Sequence, residues 1–294
     1  MLIPNISGTG IALVTPFKSD NSIDYEALST LIDRQISEGA NYIVVMGTTA
    51  ETPTLSPEER IELSNFIVSH VGGRLPLVLG CGGNNTASVI SQLSDHMLDS
   101  YQAILSVTPY YNKPTQEGLY RHYRALADAS PLPVILYNVP GRTGVNLAAE
   151  TTLRLARECD HIIAIKEASG NIIQVDKIIS ERPEGFKVIS GDDAITLPLI
   201  ALGADGVISV IANAFTAQFS DMVRKALNED LSGARELHRS LRPYFRLMTA
   251  DGNPAGVKAL LSRMGLIENV LRLPLVPASK QTSEAIGELL EKGI

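Results

Sequence analysis

Eight short runs of aliphatic and β-branched residues, each followed by a stretch of helical periodicity, constrain the fold of this chain more than any other feature. They fall at residues 11–14, 42–46, 77–79, 103–107, 134–137, 162–165, 187–189 and 206–210. Between them, residues 24–38 carry Leu28, Leu31, Ile32 and Ile36 on one helical face, with Asp24 placed as N-cap. Ser56-Pro57-Glu58-Glu59 opens the next helix with a capping hydroxyl, a first-turn proline and two acids at the positive end of the helix dipole. Strands this short and this apolar suit a parallel sheet covered on both faces. Eight such units ahead of residue 228 predict an α/β fold, a closed (β/α)8 TIM barrel. A doubly wound open sheet satisfies the same alternation, but the chain has no dinucleotide fingerprint. Residues 214–227, 231–248, 255–264 and 279–291 read as helices, and no strand pattern returns among them. The expected organisation is a barrel over 1–228 and a helical extension over 229–294 packed on it, since no Gly/Ser-rich linker intervenes.

Composition narrows the function. With 45% hydrophobic and 19% charged residues the chain is neither disordered nor disulfide-dense. A net charge of −7 argues against nucleic-acid binding. No apolar stretch reaches the ~18 residues of a membrane span, and residues 1–5 lack the basic start of a secretory leader. Cys81 and Cys159 have no CxxC spacing and the five histidines are scattered, so a reducing cytoplasm fits and a metal site is not expected. Gly80-Cys81-Gly82-Gly83 lacks the Lys-Ser/Thr of a phosphate loop. Arg121-His122-Tyr123-Arg124 reads as a solvated helix face.

In a barrel, chemistry gathers where strands end. Thr48 and Thr49 follow strand two, Tyr110 and Tyr111 strand four, Tyr137 ends strand five with Arg142 in the loop beyond, Lys166 ends strand six, Gly191 follows strand seven, and Ile208 lies on strand eight. The period of two puts Lys166 on the face of Ile162 and Ala164, toward the barrel interior. Apolar walls disfavour a charged ammonium, and a neutral amine adds to carbonyls as a Schiff-base nucleophile. Alternatively, Lys166 reaches solvent or pairs with Glu167. Tyr137 stands one strand over at the same height, suited either to shuttle a proton or to pack with its hydroxyl on a carbonyl. Thr48 and Thr49 are either carboxylate donors or a hydrogen-bonded turn, and Arg142 either a carboxylate clamp or a surface charge.

Four motifs carry a family resemblance: Gly47-Thr48-Thr49-x-Glu51, Thr108-Pro109-Tyr110-Tyr111-Asn112-Lys113-Pro114, Tyr137-Asn138-Val139-Pro140-x-Arg142-Thr143-Gly144 and Ile165-Lys166-Glu167-Ala168-Ser169-Gly170. In order and at barrel spacing they resemble the 4-hydroxy-tetrahydrodipicolinate (dihydrodipicolinate) synthases, pyruvate-dependent class I aldolases. The resemblance extends to Asn253-Pro254-Ala255-Gly256-Val257-Lys258. It implies a lyase of lysine biosynthesis that joins pyruvate to aspartate semialdehyde. Lys166 then forms the Schiff base, and Tyr137, Thr48 and Tyr111 the proton relay, with Tyr111 reaching a neighbouring subunit's site. Thr49 contacts the pyruvate carboxylate, Ile208 contacts pyruvate through its backbone, Arg142 receives the second substrate's carboxylate, and Gly191 lines the pocket. The resemblance also implies a homotetramer built as a dimer of dimers, with no organic cofactor. N-acetylneuraminate lyases and 2-keto-3-deoxy sugar-acid aldolases share the superfamily, but Arg142 in the second-substrate pocket is unexpected in them.

Two departures from the family pattern stand out. Ala50 replaces a usual glycine, from which a small local change and no loss of chemistry are expected. Lysine-inhibited members carry histidines and a glutamate in a regulatory pocket; Pro57, Arg60 and Ser88 stand at those positions, while Asn84 and Tyr110 remain. An ammonium ligand there loses an anionic partner and meets an added cation, so inhibition by lysine is expected to be weak or absent.

Overall fold

A computed structural model describes residues 6–93 and 98–293. Residues 1–5, on which the reading of the N-terminus rests, lie outside this range. Eight parallel strands close into a barrel in sequence order: β1 (Gly8–Ala12), β2 (Tyr42–Val45), β3 (Leu77–Gly80), β4 (Ala103–Val107), β5 (Val134–Asn138), β6 (Ile162–Glu167), β7 (Lys187–Ser190) and β8 (Gly206–Ser209). The expected TIM barrel is therefore present.

The local signals act as their chemistry requires. Asp24 accepts from the Ala27 N–H at 3.1 Å, capping the helix Tyr25–Ser37. Ser56 and Glu59 form a reciprocal capping box at the start of the helix Pro57–Val71. Strand β1 begins three residues earlier than its aliphatic run, at a glycine-rich stretch that propensity disfavours. Packing overrides propensity here: a Cβ on Gly10 would lie 2.2 Å from the Tyr42 ring, which fills the barrel interior.

One apolar cluster fills the barrel, built from Ala12, Tyr42, Val44, Val78, Leu105, Ile135, Tyr137, Ala164, Ile189 and Ile208. A second, between sheet and helices, includes Ile43, Leu79, Ile104, Leu136, Ile162 and Ile165. Ile162 therefore faces outward, against the simple period of two. The register between β5 and β6 shifts between Val134 and Ile135, so Val134 pairs with Ile162 and Ile135 with Ala164. The extra residue, Ile163, joins the interior cluster, and Ala164 and Lys166 keep their inward direction.

The residues 121–124 also differ from expectation. Arg121 and Arg124 are exposed, but His122 and Tyr123 are buried, and the Tyr123 hydroxyl donates to the Ser106 carbonyl at 3.1 Å. The helix lies with this edge on the sheet, so half the segment is core.

The helix Thr216–Leu227 and the long helix Leu231–Ala250 share one apolar cluster, with Phe215 edge-on to Tyr244 at 4.8 Å. Helices Ala255–Arg263 and Lys280–Lys292 complete the C-terminal region. Among the described residues no helix is long and apolar enough to cross a membrane.

Candidate active site

Lys166 is the penultimate residue of β6, opposite Tyr137 in the β5–β6 register. Its side chain is 6% exposed, and its Nζ lies 4.4 Å from the centroid of the Tyr137 ring. Both project into a cavity of about 580 Å³ at the strand ends, lined also by Thr48, Thr49, Arg142 and Gly191. Among the described residues no carboxylate pairs with Lys166. Glu167, its sequence neighbour, points to the opposite side of the sheet, where it accepts from Asn138 and from the Ser169 hydroxyl at 2.6 Å. Burial raises the Glu167 carboxyl to about 7. The alternative in which Glu167 neutralises Lys166 is thus excluded by strand alternation itself. The amine is left facing a polar-rimmed cavity with a phenol beside it.

Gly191 explains how a long side chain fits at this depth. A Cβ there would sit 2.6 Å from the Ala168 Cβ and 3.0 Å from Lys166 Cε. Gly191→Ala is therefore expected to displace the lysine and lower kcat/KM by about 100-fold, the scale of an ångström's misplacement. Steady-state kinetics beside a thermal melt reads this, and a folded variant with unchanged kcat/KM would refute it.

Thr48 and Thr49 begin a single 3-10 turn, Thr48–Ala50, after Gly47. Thr49 is buried, and its Oγ1 accepts from Asn253 Nδ2 at 2.9 Å; Thr48 is exposed toward the cavity mouth. Ala50 is buried in the turn at an ordinary φ, and the left-handed residue is Glu51, at φ 56°. The expected loss of conformational freedom at Ala50 thus falls where none is required. Arg142, on the short helix Pro140–Thr143, is exposed and donates from Nη2 to the Asn253 carbonyl at 3.3 Å. Asn253 therefore touches both Thr49 and Arg142.

Two of the expected residues stand apart from this cavity. The Ile208 side chain is buried in the barrel interior, and Val210, two residues on, lines the wall. Tyr111 is 88% exposed with φ 73°, and it does not line this cavity. One chain thus brings Thr48 and Tyr137 together and leaves Tyr111 outside.

The sequence analysis gives no role to Asn253, Asp192, Asp193, His238, Arg242 and Arg246, all of which line the cavity. The last three recur every four residues on the helix Leu231–Ala250, a single face legible in the sequence. From its sequence alone that helix is expected only to pack on the barrel. Burial raises the Asp193 carboxyl to about 6, while Oδ2 accepts from the Val210 and Ile211 N–H groups at 3.1 and 2.8 Å.

A second cleft of about 680 Å³ shares Thr48, Tyr137 and Arg142 and extends to Arg60, Asn84, Ser88 and Tyr110. Pro57, grouped with them from the sequence, is absent from its lining and instead starts the helix Pro57–Val71.

The profile of the dihydrodipicolinate synthetase family matches residues 5–293. The chain belongs to this family. The 4-hydroxy-tetrahydrodipicolinate synthase of Parabacteroides distasonis is 58% identical over 98% of this chain and 97% of its own. The dihydrodipicolinate synthase structure from Aquifex aeolicus superposes with a TM-score of 0.94 at 39% identity, covering 98% of each chain. The chloride-inhibited enzyme from Acinetobacter baumannii, solved with pyruvate, does so with a TM-score of 0.94 at 40% identity over 98% of each chain. The chain is accordingly a lyase of the dihydrodipicolinate synthetase family, and its strand-end cavity with Lys166 at the base is its candidate active site.

Proposed function

We propose that this chain condenses pyruvate with L-aspartate 4-semialdehyde, through a Schiff base on Lys166, to give 4-hydroxy-tetrahydrodipicolinate, the first committed step of the diaminopimelate/lysine route. The observation that carries the reading is the buried Lys166 amine against the Tyr137 ring, with no carboxylate pairing it among the described residues. The amine adds to the pyruvate ketone, and loss of water leaves an iminium, an electron sink for the adjacent methyl group. Tyr137 removes a methyl proton to give the enamine, with Thr48 and Tyr111 relaying protons. The enamine carbon attacks the aldehyde, and the substrate's own amine then cyclises and displaces Lys166. Thr49 holds the pyruvate carboxylate, the Ile208 backbone its other face, and Arg142 the carboxylate of the second substrate. Gly191 leaves room for the lysine. These steps need neither a metal nor an organic cofactor. Offered aspartate semialdehyde beside N-acetylneuraminate, the protein is expected to turn over only the former; cleavage of the sugar acid would overturn the second-substrate assignment.

The same proposal includes a cytoplasmic homotetramer, a dimer of dimers, with Tyr111 completing the site of a neighbour. Its support is an exposed aromatic in a left-handed conformation that a bulky residue rarely adopts. Co-expressed chains bearing Lys166→Ala and Tyr111→Phe separately should recover roughly a quarter of wild-type activity, since each mixed dimer rebuilds one intact site. No recovery would place Tyr111 in its own chain's site. Weak or absent inhibition by lysine belongs to this reading too, supported by the Arg60 cation in the second cleft. Strong inhibition at sub-millimolar lysine in a steady-state assay would overturn it.

A further inference from the structure

The turn bearing Thr48 and Thr49 ends in Glu51, and Glu51 is held from the far end of the sequence. Its side chain is fully buried and forms an ion pair with Lys258, also fully buried, on the helix Ala255–Arg263. Lys258 Nζ further donates to the Val270 carbonyl at 2.9 Å and lies 4.2 Å from the Phe17 ring centroid. Glu51 Oε2 accepts from the Arg272 backbone N–H at 3.1 Å. The Arg272 guanidinium is engaged elsewhere, by both oxygens of Glu59 at 2.6 and 2.7 Å and by the Asn21 and Thr54 carbonyls. Lys258 is therefore the cation that ion-pairs with Glu51.

A buried ion pair is a poor source of stability, because desolvation offsets much of its Coulomb attraction. Burial here holds the Lys258 ammonium down to about 8. What the pair does supply is geometry. Glu51 sits at φ 56° and ψ 31°, a left-handed conformation disfavoured for a residue with a Cβ. That conformation ends the Thr48–Ala50 turn and starts the next, Thr52–Thr54. Asn253, from the segment just before Lys258, ties the same turn through Thr49 Oγ1.

We propose that Glu51 and Lys258 are positioning residues for the pyruvate carboxylate subsite, their buried ion pair locking the left-handed residue that sets Thr49 in the cavity wall. The inference rests on the reading of Thr49 as a carboxylate contact. Lys258→Met alone strands a buried carboxylate, and loss of folding there would be uninformative. Two variants avoid this. Glu51→Gln preserves shape, and Lys258 can release its proton; Glu51→Gln/Lys258→Met removes both charges at nearly constant volume, a change that buried pairs commonly tolerate.

For whichever variant melts close to wild type, the KM for pyruvate is expected to rise about 10-fold or more while kcat stays within about threefold. Borohydride at saturating pyruvate should still label Lys166 fully. An unchanged pyruvate KM in a folded variant would show that the pair serves only the fold. So would a proportional fall in active sites and kcat at constant KM. A wild-type protein that yields no pyruvate adduct removes both this inference and the proposed function; a normal adduct with unchanged KM in the variants removes this inference alone.

Discussion

Lys166→Ala is expected to abolish the borohydride-trapped pyruvate adduct and to lower kcat by about 10⁴-fold or more, the scale seen when an enzyme loses its nucleophile. Without an amine there is no iminium, and the methyl group of pyruvate stays a poor carbon acid. The substitution removes a buried amine that no carboxylate pairs among the described residues, so the fold should not suffer. Peptide mapping of the reduced wild-type protein should place the adduct on Lys166. An adduct elsewhere, or a Lys166→Ala protein that still traps pyruvate, would sink the assignment. Lys258, the other deeply buried lysine, is the instructive contrast: it is held by Glu51 and the Val270 carbonyl and does not line the cavity.

The second large effect belongs to Tyr137. Tyr137→Phe keeps the ring that lies against Lys166 and removes only the hydroxyl, so the site's shape should survive. A positioned acid–base group contributes about 10²- to 10⁴-fold, and a loss of this size in kcat is expected. The discriminating readout is exchange of the pyruvate methyl protons with deuterated water, followed by NMR. In the variant the borohydride adduct should still form while exchange slows in step with turnover. Exchange at the wild-type rate would mean that another group takes the proton and that Tyr137 only packs.

Much of this site was legible because its signals are local. Lys166 and Tyr137 announce themselves by standing at the ends of apolar strands, and Gly191 by following one. Helix starts were equally plain, since a cap such as Asp24 or Ser56 acts within three residues of itself. Other features resisted for physical reasons. The outward turn of Ile162 depends on a register shift between two strands, which period-two counting within one strand does not register. The inward side of 121–124 depends on how one helix lies on the sheet. The His238, Arg242 and Arg246 face carried a pattern, but nothing in the sequence says which cavity that face borders.

The barrel, the family and the lysine follow from neighbouring residues alone, because strand length, hydrophobic period and motif order are local properties. What surrounds that lysine depends on contacts between distant segments. Asn253 reaches Thr49 across 204 positions, and Lys258 reaches Glu51 from a helix beyond the barrel. Packing of the C-terminal segment on the barrel brings these pieces together, and burial there leaves Glu51 and Lys258 to pair with each other.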